Sequence, residues 1–303
     1  MDWDRLRIFH AVAGAESFTR AGMDLGLSQS AVSRQISALE QYLKVSLFHR
    51  HARGLVLTEQ GEELYRTVQE MSAKLAMAMA RIDESREQPK GPLKITTSVA
   101  FGSAWLTSRL NRFHAQYPDI RVTLVLVDNL ELDLSLRQAD VAIRFAPQRQ
   151  SNLIQRRLMT IRYHVFATQE YLAQHGTPKT PQDLDQHDII VYGEDVPAPV
   201  PNMNWLLEAG VERGNKLEPA LRVNSVYGIY RAVRSGLGIA ALPYYMSSES
   251  PELVEILSEL RGPSIEAYFV YPEELRHSKR IAVVRDFLLR QVEEDELAEA
   301  GAN

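Results

Sequence analysis

The sequence predicts an α/β protein in two parts: a small helical N-terminal domain and a larger domain of alternating strands and helices, joined by one long helix. Three observations predict this. Apolar residues recur at helical spacing from Leu6 through Leu43, and again from Leu64 to Ile82. Pro89, Gly91 and Pro92 then break the helical pattern. Beyond Pro92 short β-type runs, such as Leu93 to Thr97 and Val141 to Phe145, alternate with helical stretches.

At 303 residues the chain has room for two or three units, each with its own core. A formal net charge of −5 argues against a protein that coats nucleic acid through bulk positive charge. A local basic surface is nevertheless present. Between Gln29 and Thr58, Arg34, Lys44, Arg50 and Arg53 stand against the single acid Glu40, with His49 and His51 added. The absence of cysteine removes disulfides, thiolate metal sites and cysteine nucleophiles. The opening Met-Asp-Trp-Asp-Arg has no basic region backed by an apolar core, and no apolar run reaches transmembrane length. A cytoplasmic protein with no membrane partner is expected.

Trp3 to Ala15 carry Leu6, Phe9, Val12 and Ala13 at helical spacing, which predicts a first helix. Ser17 caps a second, whose buried side is Phe18, Ala21 and Leu25; Gly22 and Gly26 are expected to loosen it. Gly26 turns the chain into a third helix capped by Ser28, with Leu27 expected to pack on Val32 as a hydrophobic staple. There Val32, Ile36, Leu39 and Leu43 form one apolar stripe, and Ser30, Ser33, Arg34, Ser37 and Gln41 lie opposite. A short helix, a tight turn and a helix with one packed and one polar side is helix-turn-helix order.

Short hydroxyls, an amide and a guanidinium on the opening turns of a helix match phosphate oxygens and base edges in the DNA major groove. Ser28, Gln29, Ser30, Ser33, Arg34 and Ser37 are therefore the candidate reading residues. The competing reading is an ordinary amphipathic surface helix with a solvated Ser and Gln face. The flanks decide between the two. Val45 to Phe48 and Leu55 to Thr58 surround a basic, glycine-bearing tip and predict a β-hairpin, or wing. Arg50, His51 and Arg53 would then lie against the phosphate backbone or minor groove, with Thr58 closing the candidate DNA surface. His49 and His51 have no third ligand at suitable spacing, so they are not read as a metal pair.

Several of these motifs, Ser17-Phe18, Leu27-Ser28-Gln29, Ala31 to Ile36, Leu39-Glu40, Leu47 to Arg50 and Leu57 to Gly61, together resemble the N-terminal domain of LysR-type transcriptional regulators. The agreement runs over about the first sixty positions and is far more specific than one motif. One departure is Ser30, where members often carry proline; the helix start tolerates this, because proline at an early helical position is favourable but not required. The opening Met-Asp-Trp-Asp and the wing His-Arg-His-Ala-Arg-Gly also resemble the LsrB and VtlR branch. The resemblance implies a winged helix-turn-helix, a dimerising linker helix and a two-lobed effector domain similar to periplasmic solute-binding proteins. The expected boundaries are 1–58 for the DNA-binding domain, 59–88 for the linker helix, 89–92 for a hinge and 93–303 for the effector domain. Lobe I should take 93–163 and 266–303, and lobe II 164–265.

From Glu59 to Glu87, Leu64, Val68, Met71, Leu75, Ala78 and Ile82 alternate at intervals of four and three, a heptad seam that predicts contact with a second chain. The alternative is a lone amphipathic helix on its own domain. A homodimer explains more, because paired recognition helices must meet half-sites roughly 34 Å apart.

In the C-terminal part, strands are expected at Leu93 to Thr97, Arg121 to Val127, Val141 to Phe145, His164 to Thr168, Ile189 to Tyr192, Ile239 to Leu242 and Glu266 to Tyr271. Helices are expected at Phe101 to Tyr117, through Leu136, at Ser225 to Ser235 and at Lys279 to Glu294. The resemblance extends here more loosely, through Arg112-Phe113, Tyr117-Pro118, Asp140 to Arg144, Tyr171-Leu172 and Gly236 to Pro243.

Ligands of open α/β sheets sit beyond the carboxyl ends of strands. That places a candidate effector site at Ser98 to Phe101, Asp128 to Leu130, Arg144 and Asn224 to Tyr227, with Ser98, Val99, Ala100, Phe101, Asn129, Arg144, Asn224, Ser225 and Val226 as the candidate residues. A helix beginning near Val99 would aim free N–H groups at a small anionic metabolite. Each candidate has a structural alternative: Ser98 and Ser225 as N-caps, Asn129 as a turn residue, Arg144 as an ion-pair partner.

Gly236-Leu-Gly238 resembles a dinucleotide fingerprint only in spelling, since it stands between a helix and a following strand. No P-loop, His-Glu-x-x-His or serine hydrolase elbow appears, so an enzyme is not expected and no cofactor is implied. The expected partners are operator DNA, a small effector, a second copy of the chain in a dimer or dimer of dimers, and RNA polymerase as a further candidate. The competing class is a solute-binding or enzymatic α/β protein with an accessory helix-turn-helix-like domain.

Overall fold

The computed structural model describes residues 2–51, 54–83, 89–128, 131–193, 195, 198–211, 216–248 and 250–302; for 50, 51, 54, 73, 76–83 and 298–302 it describes the backbone alone. The chain falls into two compact units, Met1–Asp83 and Glu84–Asn303.

In the first unit, α1 (Trp3–Ala15), α2 (Phe18–Leu25) and α3 (Gln29–Leu43) are followed by the hairpin β1 (Phe48–His51) and β2 (Gly54–Leu57) and by α4 (Glu59–Asp83). The core gathers Phe9 and Val12 of α1, Ala21 of α2, Val32, Ile36 and Leu39 of α3, Leu47, Phe48 and Val68. Asp2, Ser17 and Ser28 cap the three helices, each side chain accepting an amide of the first turn.

Three local expectations need correction. Gly22 does not loosen α2: a Cβ there would stand 2.7 Å from the Leu27 carbonyl oxygen, so glycine is what lets the turn close onto the helix. Gly26 (φ 66°) ends α2 in the left-handed region, its N–H bonding back to Gly22 and Met23. Leu27 is 38% exposed, outside the apolar cluster, and its N–H donates to the Gly22 carbonyl at 2.8 Å, so it is held by backbone and not as a staple. The hairpin strands are also shifted toward the tip: β1 begins at Phe48 and not at Val45. Phe48 pairs with Leu57 and His51 with Gly54, so His49, Arg50 and His51 sit within a strand, and 52 and 53 lie outside the described residues.

The second unit opens with β3 (Gly91–Thr97), then a continuous helical run of α5 (Val99–Phe101), a π turn (Gly102–Leu106) and α6 (Thr107–Gln116). The expected single helix is thus helical throughout but carries a wide turn, which inserts one residue into the ladder. It then builds β4 (Ile120–Leu126), β5 (Val141–Arg144), β6 (Leu153–Thr168), α7 (Gln169–His175), β7 (Ile190–Tyr192), β8 (Leu221–Val223) and α8 (Val226–Arg234). β9 (Ala240–Pro243), β10 (Leu253–Ile256), β11 (Ser264–Pro272) and α9 (Lys279–Ala302) complete it.

The helix expected through Leu136 is absent. The Asp133 carboxylate accepts the amides of Ser135 at 2.7 Å and Leu136 at 3.2 Å, Gln138 closes back on Asp133, and Arg137 takes φ 58°; side-chain hydrogen bonding wins a tight turn there.

The main sheet runs β10-β6-β11-β5-β3-β4, with β9 also on β6. β4, β3 and β5 are parallel, with the β3-to-β4 crossover made by the helical run α5 to α6, and β11 joins them antiparallel. The long β6 makes two lobes out of one strand. From Leu153 to Arg162 it pairs with β11, and from Tyr163 to Thr168 with β9 and β10. A second small sheet, β7 beside β8, belongs to the second lobe. Gly236 (φ 78°) turns α8 into β9, and a Cβ on Gly238 would lie 2.1 Å from the Asp188 carbonyl oxygen; these glycines serve close packing, as their position before a strand implied.

Candidate DNA interface and effector cleft

The α3 helix has the polarity a reading helix requires. Val32 and Ile36 are fully buried, while Ser28, Gln29, Ser30 and Arg34 are exposed and Ser33 and Ser37 half-buried. The cap is built from the same residues: Ser28 Oγ accepts the Ala31 amide at 3.2 Å and lies 3.1 Å from Ser30 Oγ. Arg34 Nε donates to the Ser30 carbonyl at 3.3 Å, which holds the guanidinium along the first turns. Glu40, the one acid of the basic segment, is turned to structural use: its carboxylate accepts the amides of Leu47 at 2.8 Å and Phe48 at 3.3 Å. This ties the end of α3 to the start of the wing.

Thr58 is the exception among the candidate DNA residues. It is buried, its hydroxyl donating to the Ser46 carbonyl at 2.7 Å and accepting the Gly61 amide at 3.0 Å. Both hydroxyl functions are spent on joining the hairpin to α4, so Thr58 is an N-cap and not a DNA contact. Arg50 and His51 are placed in β1 by backbone alone, and Arg53 lies outside the described residues.

Along α4 the heptad seam divides. Val68 is fully buried in the domain's own core and Leu64 packs against it, whereas Met71 and Leu75 are 43% and 47% exposed. The first half of the seam is therefore intramolecular, and the side chains of Ala78 and Ile82 lie outside the described residues.

In the second unit a narrow cleft lies at the carboxyl ends of β4 and β7 and against the crossover strands. Of the residues expected there, Ser98, Ala100 and Val226 line it. Phe101 does not: it is wholly buried behind the wall, stacked on Trp105 at 4.8 Å and edge-on to Tyr245 at 5.5 Å. Asn224 is exposed and outside the lining, Ser225 is the N-cap of α8, accepting the Gly228 amide at 3.3 Å, and Asn129 lies outside the described residues.

Two further expectations need correction. Arg144 does not line the cleft: it is an ion-pair partner, Nη1 lying 2.7 Å from Glu131 and Nη2 donating to the Leu132 carbonyl at 2.7 Å, with Nε buried and without a partner. The helix that starts at Val99 has three of its four opening N–H groups already taken. Asp128 Oδ1 accepts the Val99 amide at 2.9 Å, Ser98 Oγ accepts that of Phe101 at 3.3 Å, and the Ser98 carbonyl takes that of Gly102 at 2.9 Å. An internal carboxylate already holds the place an anionic ligand was expected to take.

Asp128, within the expected strand-end span, lines the cleft; the polar lining that sequence reasoning missed is Tyr163, Tyr192 and Tyr245, and Phe145, Ile161, Val200 and Ile265 add apolar wall. Burial pushes the Tyr245, Tyr163 and Tyr192 phenols up; for Tyr245 the neighbouring Tyr163 and Asp128 add to this, and for Tyr192 Asp128 does. All three remain neutral hydrogen-bonding phenols near neutral pH. Tyr192 ends a strand and could have been singled out by the carboxyl-end rule that gave Asp128. Tyr163, Tyr245 and Ile265 could not, because only the tertiary crossing of β6, β11 and the turn after β9 brings them together. No group of metal-ligating side chains occurs among the described residues.

A polar helix face beside a hairpin, followed by a two-lobed domain with a cleft, defines a DNA-binding protein that carries its own ligand-binding module. Comparison with known proteins agrees. Residues 3–62 match the bacterial regulatory helix-turn-helix of the lysR family, and residues 86–293 match the LysR substrate binding domain. The HTH-type transcriptional regulator DmlR of Escherichia coli is 31% identical over 289 residues, 93% of this chain and 92% of that protein. CrgA of Neisseria meningitidis is 29% identical over 293 residues, 95% of this chain and 96% of its own. The full-length structure of AphB, the Vibrio cholerae virulence activator, superposes with a TM-score of 0.58 at 26% identity, covering 95% of this chain and 99% of that one. The chain belongs to the LysR family: it is a DNA-binding transcriptional regulator with an effector-binding domain, and not an enzyme. No helix among the described residues is long and apolar enough to cross a membrane.

Proposed function

We propose that α3 enters the major groove of operator DNA with Gln29, Ser30, Ser33 and Arg34 toward the bases, while the wing residues Arg50, His51 and Arg53 follow the phosphate backbone. Ser28 and Ser37 flank this surface as phosphate contacts. The observation that carries this reading is the division of α3, with Val32 and Ile36 fully buried and Gln29, Ser30 and Arg34 exposed on the other side. A helix packed in this way presents its N-terminal turns to a groove while its core contacts hold it rigid.

The domains divide as 1–58 for DNA, 59–88 for the linker, 89–92 for the hinge and 93–303 for the effector. The lobes separate where β6 changes partners near Tyr163. The exposed Met71 and Leu75 on α4 supply a homodimer seam, and a dimer of dimers forms through the effector domains. A small molecule in the cleft alters how these dimers associate and hence how the operator is bent, with RNA polymerase as the downstream partner and the cytoplasm as the place of action.

The test is an electrophoretic gel shift with DNA from the protein's own promoter region across a range of salt. Sequence-specific retardation that weakens as salt rises is expected. Retardation no stronger than on scrambled DNA would overturn the reading.

A further inference from the structure

The chemistry of the cleft wall points away from the acids that the sequence suggested. Among its described lining residues Asp128 is the only side chain bearing a carboxylate, and none is lysine, arginine or histidine. Arg144, next to Phe145 in sequence, lies outside the lining, with Nη1 on Glu131 and Nη2 on the Leu132 carbonyl. Asp128 Oδ1 is fixed by the Val99 amide at 2.9 Å, leaving Oδ2 for a second partner. Tyr163, Tyr192, Tyr245 and Phe145 line the same cleft, the Tyr192 and Tyr245 phenols close enough to Asp128 to feel its charge, with aliphatic wall beyond. An anionic ligand would face a like charge in a poorly hydrated site and find no cation. A cation with a flat apolar body would meet a carboxylate, phenol oxygens and aromatic faces at once.

We propose that the cleft binds a small single-ring aromatic amine, its protonated nitrogen on Asp128 and its ring against the tyrosines and Phe145, and that it rejects the matching carboxylate. This rests on the reading of the cleft as the effector site and adds the charge class of the effector. The π turn at Gly102–Leu106 supports the wall from behind: a Cβ on Gly102 would lie 2.1 Å from Leu126 Cδ2, so the helix is seated closely against the end of β4, two residues before Asp128. Asp128 is thereby held in place by the strand it follows and by the helix it caps.

The experiment is calorimetric titration of the full-length protein, without DNA, with 2-phenylethylamine, 2-phenylethanol and phenylacetate. The amine is expected to bind at least about ten-fold tighter than phenylacetate, with the alcohol between them. Asp128→Asn keeps an oxygen for the Val99 amide and should cost the amine about ten-fold or more while leaving the alcohol nearly unchanged. Phenylacetate binding as tightly as the amine would overturn the proposal, as would no heat from any of the three at ~10 mM, or an Asp128→Asn protein that keeps the parent's ranking. If the variant fails to fold, the ranking of the three compounds on the parent protein still decides. A gel shift with and without 2-phenylethylamine separates the two readings: an amine that binds with the expected ranking but leaves operator binding unchanged would count against the effector reading and not against the charge class of the cleft.

Discussion

At the scale of single residues, the same side-chain type serves opposite ends in the two halves of one surface. Ser28 and Ser30 are exposed at the start of α3, and Thr58 is buried at the start of α4, although each is a hydroxyl residue at a helix N-terminus. The corrected role of Thr58 carries its own prediction. Thr58→Val removes the cap and the bond to Ser46, and should destabilise the N-terminal domain by about 1–2 kcal/mol while leaving the operator affinity of the folded protein unchanged. Chemical denaturation beside fluorescence anisotropy on labelled operator checks both parts; weaker operator binding at unchanged stability would restore Thr58 to the DNA surface. Arg144 teaches the same lesson, since a sequence cannot say whether an arginine at a strand end meets a ligand or a neighbouring acid. In three dimensions Arg144 pairs with Glu131 and lies outside the cleft lining.

At the scale of elements, the helices of the first unit were legible because their signals are local. Ser17 and Ser28 as caps and Gly26 as a left-handed terminator bound α2 and α3 at the residues where the chain starts and stops being helical. What failed to show was long-range. The first ten residues of β6 carry no clean alternation, with charged side chains at Arg156, Arg157 and Arg162, yet β11 fixes them as a strand. The cleft tyrosines share this origin.

The packing of α1 on α4 adds a pH dependence. The His10 ring stacks on Tyr65 at 5.3 Å, and burial holds its imidazole below the ordinary value of 6.5. The folded state thus prefers neutral His10, whereas the unfolded chain takes up its proton near 6.5. The stability tied to that neutral ring is complete above this value and is lost as pH falls from it toward the lowered folded value. Hydrogen exchange of the α1 amides should therefore quicken between about pH 7 and about pH 5.5 beyond the intrinsic trend, and His10→Gln should flatten the change. A parent whose α1 protection is constant over that range would contradict the assignment.

At the scale of the whole molecule, the two units answer to different constraints and their functions are joined through α4. Its first half is spent on the core of its own domain, and its second half offers Met71 and Leu75. A Leu75→Glu protein should sediment as a monomer at concentrations where the parent is dimeric, and should lose more affinity for a two-half-site operator than for a single half-site. A dimeric Leu75→Glu protein would place the interface elsewhere.

The central claim is that the exposed face of α3 reads base sequence. Its most direct test is the affinity of the parent and of Arg34→Ala for operator and for scrambled DNA of equal length, measured by anisotropy at one salt concentration. The structure predicts that Arg34→Ala loses about 1–3 kcal/mol of the operator-over-scrambled preference, with secondary structure unchanged. An Arg34→Ala protein that discriminates between the two DNAs as well as the parent would contradict it.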